Sequence, residues 1–170
     1  MARLRLQSGR IVLALLAAGA LAPAQDSLIP KAPIVSAMPA EPVTVAPGGS
    51  VRAELRFRVS PGYHINSSKP HSEFLIPTRL KLSPPANLTP GAVVYPEGKD
   101  LSFTFSPKEK LSVYSGDFTV RAELHAPASA QAGSYKVPGE LRYQACNDRA
   151  CFPPTKLPVE FEVTVRKPRG

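Results

Sequence analysis

Val51-Arg52-Ala53-Glu54-Leu55-Arg56-Phe57-Arg58-Val59 alternates apolar and charged residues without a break. Successive side chains of a strand point to opposite faces, so this stretch buries one face and wets the other. The same alternation returns at Phe118, Val120, Ala122 and Leu124, set against Thr119, Arg121, Glu123 and His125. It returns again at Val159, Phe161, Val163 and Val165, and at Leu141, Tyr143 and Ala145. Shorter strand candidates lie at 78–82, 93–95, 101–105, 111–114 and 135–137. Pro-Gly, Gly-Gly, Ser-Gly and Pro-Pro pairs separate them. No segment keeps a helical period, and 20 prolines argue against long helices. Eight or nine short strands predict an all-β chain, an immunoglobulin-like antiparallel β-sandwich.

Upstream of the strands, Arg3, Arg5 and Arg10 precede an apolar run at 11–21, and Ala22-Pro23-Ala24 follows it. A basic start, a short apolar run and an A-x-A site read as a signal peptide over 1–24, cleaved near Ala24. The apolar run falls short of the roughly 20 residues that span a bilayer. A periplasmic or secreted protein is expected, without a direct membrane span and in a compartment where disulfides persist. Residues 25–42 carry prolines at 30, 33, 39 and 42 and read as an extended linker with little to bury. The folded domain is expected over 43–167.

Removing 1–24 removes three of the 21 basic residues and none of the 13 acidic ones, so the net charge falls from +8 to +5. The remaining lysines and arginines are scattered along strand faces, so no nucleic-acid partner is expected. Hydrolase and nucleotide-binding motifs such as G-x-S-x-G and the phosphate loop are missing from the sequence. His64 and His71 could in principle join the cysteines as metal ligands, yet no C-x-x-C or H-x-x-x-H spacing accompanies them. Neither a metal site nor a cofactor is expected.

Chemistry concentrates in Tyr143-Gln144-Ala145-Cys146-Asn147-Asp148-Arg149-Ala150-Cys151-Phe152-Pro153-Pro154, which holds both cysteines of the chain. Asn147-Asp148 is turn chemistry, so the cysteines are expected to face each other near the end of a β-hairpin. A bridge across so short a loop removes little chain entropy. Pro153-Pro154 lacks backbone donors, so the ladder is expected to break just beyond Cys151 and expose a sulfur. Spacing alone leaves two readings open, a reactive dithiol and a structural clip. A second stretch, 61–77, leaves the first strand through Pro61-Gly62 and ends in Phe74-Leu75-Ile76 between prolines. It is either a connecting loop that dips into the core or a loop that shelters something.

Together, Gly62-Tyr63-His64-Ile65-Asn66, Glu73-Phe74-Leu75-Ile76-Pro77 and the Tyr-Gln-x-Cys…Cys-aromatic-Pro-Pro stretch resemble the N-terminal periplasmic domain of the thiol:disulfide interchange protein DsbD. The resemblance covers about residues 43–165. It implies a sandwich with a redox-active pair, Cys146 and Cys151, that passes electrons to periplasmic thioredoxin-like partners. It further implies that Cys151 forms the mixed disulfide and Cys146 resolves it. Phe74, flanked by Glu73 and Leu75, would cap the pair, and Tyr63 would flank it. Ser72 stands where the best-known member carries an acid beside Glu73. On this reading electrons reach the chain from a separate membrane electron transporter. The rival reading is a non-catalytic secreted immunoglobulin-like binding module whose disulfide clips a hairpin.

Overall fold

Residues 33–104 and 106–167 are described by a computed structural model. The expected signal peptide and the start of the expected linker lie outside these residues. The strands are β1 (Val35–Ala37), β2 (Val43–Val45), β3 (Ser50–Val59), β4 (His64–Asn66), β5 (Arg79–Leu82) and β6 (Thr89–Val94). They continue with β7 (Lys99–Phe103), β8 (Ser106–Tyr114), β9 (Asp117–His125), β10 (Gly133–Tyr143), β11 (Ala145–Cys146) and β12 (Thr155–Val165).

The two clearest alternations pair with each other. β3 and β9 run antiparallel with Ala53 opposite Ala122, Leu55 opposite Val120 and Phe57 opposite Phe118. The two phenylalanine rings stack with centroids 5.2 Å apart. On the wet face, directly opposed charges pair: Arg121 with Glu54 at 2.8 Å and Arg58 with Asp117 at 2.6 Å. These pairs are exposed and screened, so they favour the register more than they stabilise the fold.

One sheet has the order β1-β3-β9-β6 and a second the order β2-β12-β10-β5. Their inward residues, among them Leu55, Phe57, Val120, Leu124, Val137, Leu141, Phe161 and Val163, form one continuous apolar core. That arrangement is the expected all-β sandwich. A third sheet, β11-β4-β8-β7, adjoins it and holds Cys146 on β11.

One expectation needs correction, and one strand pairing qualifies the otherwise antiparallel sandwich. The 25–42 segment is not a bare linker along its described part, because Ile34 and Val35 are buried and β1 pairs with β3, Val35 opposite Val59. Its prolines flank a three-residue edge strand, a position that tolerates them. The sheets are also not wholly antiparallel, since β2 runs parallel to β12 with Val43 opposite Val163.

The turn from β3 into β4 sets the direction of the third sheet. Gly62 has φ +82°, and the Tyr63 amide donates to the Ser60 carbonyl at 3.1 Å. Proline at the first central position and a positive-φ glycine at the second are the requirements of a type II turn. A Cβ at Gly62 would meet nothing within 4 Å, so the cost of adding one lies in the backbone alone. Gly62→Ala should therefore destabilise the protein by about 1–2 kcal/mol, read from the urea midpoint. An unchanged midpoint would show that the turn relaxes to another type.

Candidate functional site

β10 ends at Tyr143, and the chain steps sideways into β11, which leaves the second sheet for the third. There Ala145 lies opposite Ile65 and Cys146 opposite His64 on β4. The step buries Cys146 completely, at 0% exposure. Cys151, bonded to it, is exposed. The two Cα atoms are 3.9 Å apart, closer than opposed residues of a regular ladder, and they meet as an isolated antiparallel bridge.

The loop between them is built on Asn147. Its side-chain oxygen accepts from the amides of Arg149 at 2.9 Å and Ala150 at 2.8 Å, and its own amide donates to the Ala150 carbonyl at 3.0 Å. An asparagine side chain that mimics a backbone turn suits this position. Beyond Cys151, the Phe152 amide donates to the Ala145 carbonyl at 2.8 Å. Pro153 and Pro154 then interrupt pairing until Thr155 meets Tyr143. The exposed Cys151 thus sits where the ladder stops.

Behind the buried sulfur the surroundings are aromatic. His64, 4% exposed, stacks on Phe103 at the end of β7 with centroids 3.9 Å apart and an 18° angle between planes. Burial denies the imidazolium its hydration and pushes the His64 pKa down to about 4, so the ring is neutral at pH 7. Gln144, the residue before β11, ties three segments together. Its side-chain oxygen accepts from Asn66 Nδ2 at 3.2 Å and the Ile76 amide at 3.4 Å, and its Nε2 donates to the Phe152 carbonyl at 3.2 Å.

The residues expected to surround the pair divide. Tyr63 lies against Phe152, the residue after Cys151, with the ring centroids 6.0 Å apart. Phe74 does not cap the pair. The ring is 87% exposed, and a ring resting on a disulfide would lose far more of its surface. The turn at 72–75, closed by the Leu75 amide on the Ser72 carbonyl at 3.2 Å, turns Phe74 outward. His71 Nε2 lies 2.7 Å from Asp100 Oδ1 and holds the start of the loop to β7. Glu73 and Phe74 instead line an open cleft of about 680 Å³ with Glu109, Lys110 and Leu111 of β8, while Leu75 is half-buried beside it.

Among the described residues, no group of three or more histidine, cysteine or acidic side chains could hold a metal ion. His64 lies opposite Cys146 and stacks on Phe103, whereas His71 pairs with Asp100 on β7. No described helix is long and apolar enough to cross a membrane.

Sequence reasoning missed three neighbours of the pair. Gln144 has a local signal, since it stands two residues before the first cysteine. Phe103 and Thr104 have none. Their place beside the cysteine loop comes from the β7–β8 hairpin folding back, with the Thr104 hydroxyl donating to the Asp148 carbonyl at 2.7 Å.

The sequence model of the family described as thiol:disulfide interchange protein DsbD, N-terminal, matches residues 31–162. No curated protein matches the chain significantly. Among solved structures, the reduced DsbD N-terminal domain of Neisseria meningitidis is 26% identical, covering 66% of this chain and 75% of that one, with a TM-score of 0.41. The complex between the DsbD N-terminal and PilB N-terminal domains of the same organism gives 23% identity, 81% and 88% coverage and a TM-score of 0.43. The N-terminal periplasmic domain of ScsB from Proteus mirabilis gives 15% identity and a TM-score of 0.50. The match covers 75% of this chain and 44% of that structure, a likeness of fold.

Proposed function

This chain belongs to the family of DsbD N-terminal domains, and from that membership we propose that it is an exported thiol:disulfide exchange domain that reduces thioredoxin-like partners through Cys146 and Cys151. The observation that carries the reading is the asymmetry of the pair, one cysteine fully buried against β4 and the other an exposed residue where the ladder breaks. A structural clip has no need of an exposed sulfur. Exchange does, because a thiolate must approach one sulfur of the bridge along its axis.

In the reduced protein the Cys151 thiolate attacks one sulfur of the partner disulfide. A bond forms between the two proteins, the partner's own S–S bond breaks, and the partner's second sulfur leaves as a thiolate and takes a proton. The Cys146 thiol then loses its proton and attacks the Cys151 sulfur. The mixed disulfide breaks, the Cys146–Cys151 bridge forms, and the partner departs with both of its thiols. Two electrons pass and no cofactor enters. A separate membrane electron transporter would return the pair to the dithiol. The exposed Phe74, with Glu73 and Leu75 beside it, and Tyr63 against Phe152 would meet the incoming partner. The domain would work in the periplasm after loss of residues 1–24.

The test is the reduction potential of the bridge, measured by equilibration with glutathione or dithiothreitol. The value expected is more oxidising than about −300 mV, the level below which structural disulfides usually lie. A lower potential would favour the binding module with a clipped hairpin.

A further inference from the structure

The end of β7 reaches both the cysteine loop and the strand that faces Cys146. Thr104 Oγ1 donates to the carbonyl of Asp148, at the tip of the loop, at 2.7 Å. Phe103, the preceding residue, stacks on His64, which lies directly opposite Cys146 on the neighbouring strand. One turn therefore holds the loop tip from outside and supports the strand behind the buried sulfur. The Asn147 bonds order the loop internally but do not connect it to the rest of the molecule. Gln144 and the Phe152 amide hold the two ends of the loop. At the tip itself, the hydrogen bond to the rest of the molecule among the described residues is that of Thr104.

We propose that Thr104 is a positioning residue, and that the turn at Phe103 and Thr104 is a latch that holds the 147–150 loop and so limits how readily a thiol reaches Cys151. The inference rests on the exchange reading for its biological meaning, but not for its physical test. A hydroxyl-to-carbonyl bond at a loop tip contributes little to global stability and much to local order, because the loop can open without unfolding a sheet. Opening widens the approach to the Cys151 sulfur along the S–S axis.

The experiment compares the rate at which dithiothreitol reduces the bridge in wild type, Thr104→Val and Thr104→Ser. Valine keeps the shape and removes the donor; serine keeps the donor. Thr104→Val should be reduced roughly two- to ten-fold faster, the factor that loss of one ordinary hydrogen bond supplies, and Thr104→Ser should stay at the wild-type rate. Amide exchange at Arg149 and Ala150 should rise in Thr104→Val, while that of β3 and β9 stays unchanged. Equal rates in wild type and Thr104→Val, or a serine variant as fast as the valine one, would overturn the latch. Thr104→Ala gives the same comparison should the valine variant fold poorly. Were wild type to form no mixed disulfide with any thioredoxin-like protein, the exchange reading would fall. The ratio of reduction rates would still decide the latch.

Discussion

Cys146→Ser should trap a covalent complex with a thioredoxin-like protein, and Cys151→Ser should trap almost none. The expectation follows from burial. In Cys146→Ser the remaining thiol is Cys151, exposed at the point where Pro153 and Pro154 end strand pairing. In Cys151→Ser the remaining thiol belongs to a residue at 0% exposure, behind the loop and against β4. Reactivity follows thiolate fraction and access, so the two variants should differ by at least about ten-fold in trapping rate. The partner carries a single cysteine activated as a mixed disulfide with a chromogenic thiol. Attack by Cys151 joins the proteins and releases the chromophore, and the adduct is resolved on a non-reducing gel. Equal trapping by both variants would remove the division of roles. Trapping by neither would leave the disulfide as a clip.

The second large effect concerns acid. The His64 pKa is pushed down from its ordinary 6.5 to about 4 by burial. In the unfolded chain the ring takes up a proton near its ordinary value; in the folded protein it does so only near 4. Between those values the unfolded state binds more protons, so stability falls as the pH drops through this window. Above pH 6.5 the contribution is fully present, and by pH 4 about 3 kcal/mol of it is gone. Removing the titrating group should remove that slope. His64→Phe keeps an aromatic ring opposite Cys146 and in reach of Phe103, and it cannot take up a proton. Urea unfolding of both proteins at about pH 7.5 and pH 4.5 provides the comparison. Wild type should lose distinctly more stability than His64→Phe over that interval, while the exposed carboxylates affect both alike. Parallel loss in the two proteins would show that the imidazole is solvated in the folded state.

What could be read directly from the chain is local in origin. Alternation over 51–59 and 118–124 is a property of neighbouring residues, and it specifies a half-buried strand whatever the partner. The cysteine bridge is local as well, since five positions with a turn residue in the middle leave the two sulfurs few other places to go. The sandwich and the disulfide were therefore legible, and with them the residues on which exchange would turn. β1 and β4 were not. Three residues cannot display a period, and what makes Val35 or Ile65 a strand residue is the neighbour it meets, Val59 or Ala145. The cap was a question of the same kind. Nothing in Glu73-Phe74-Leu75 distinguishes a ring that covers a sulfur from one that faces water. The direction of the loop is set by a tight turn and by His71 reaching Asp100, 29 residues away. Thr104 meets the cysteine loop across 44 residues, a contact that exists only after β7 and β8 have paired. Local chemistry determined that this chain carries a short disulfide-closed loop on a β-sandwich; long-range pairing decided which side chains stand around it, because only folding brings those chain segments together.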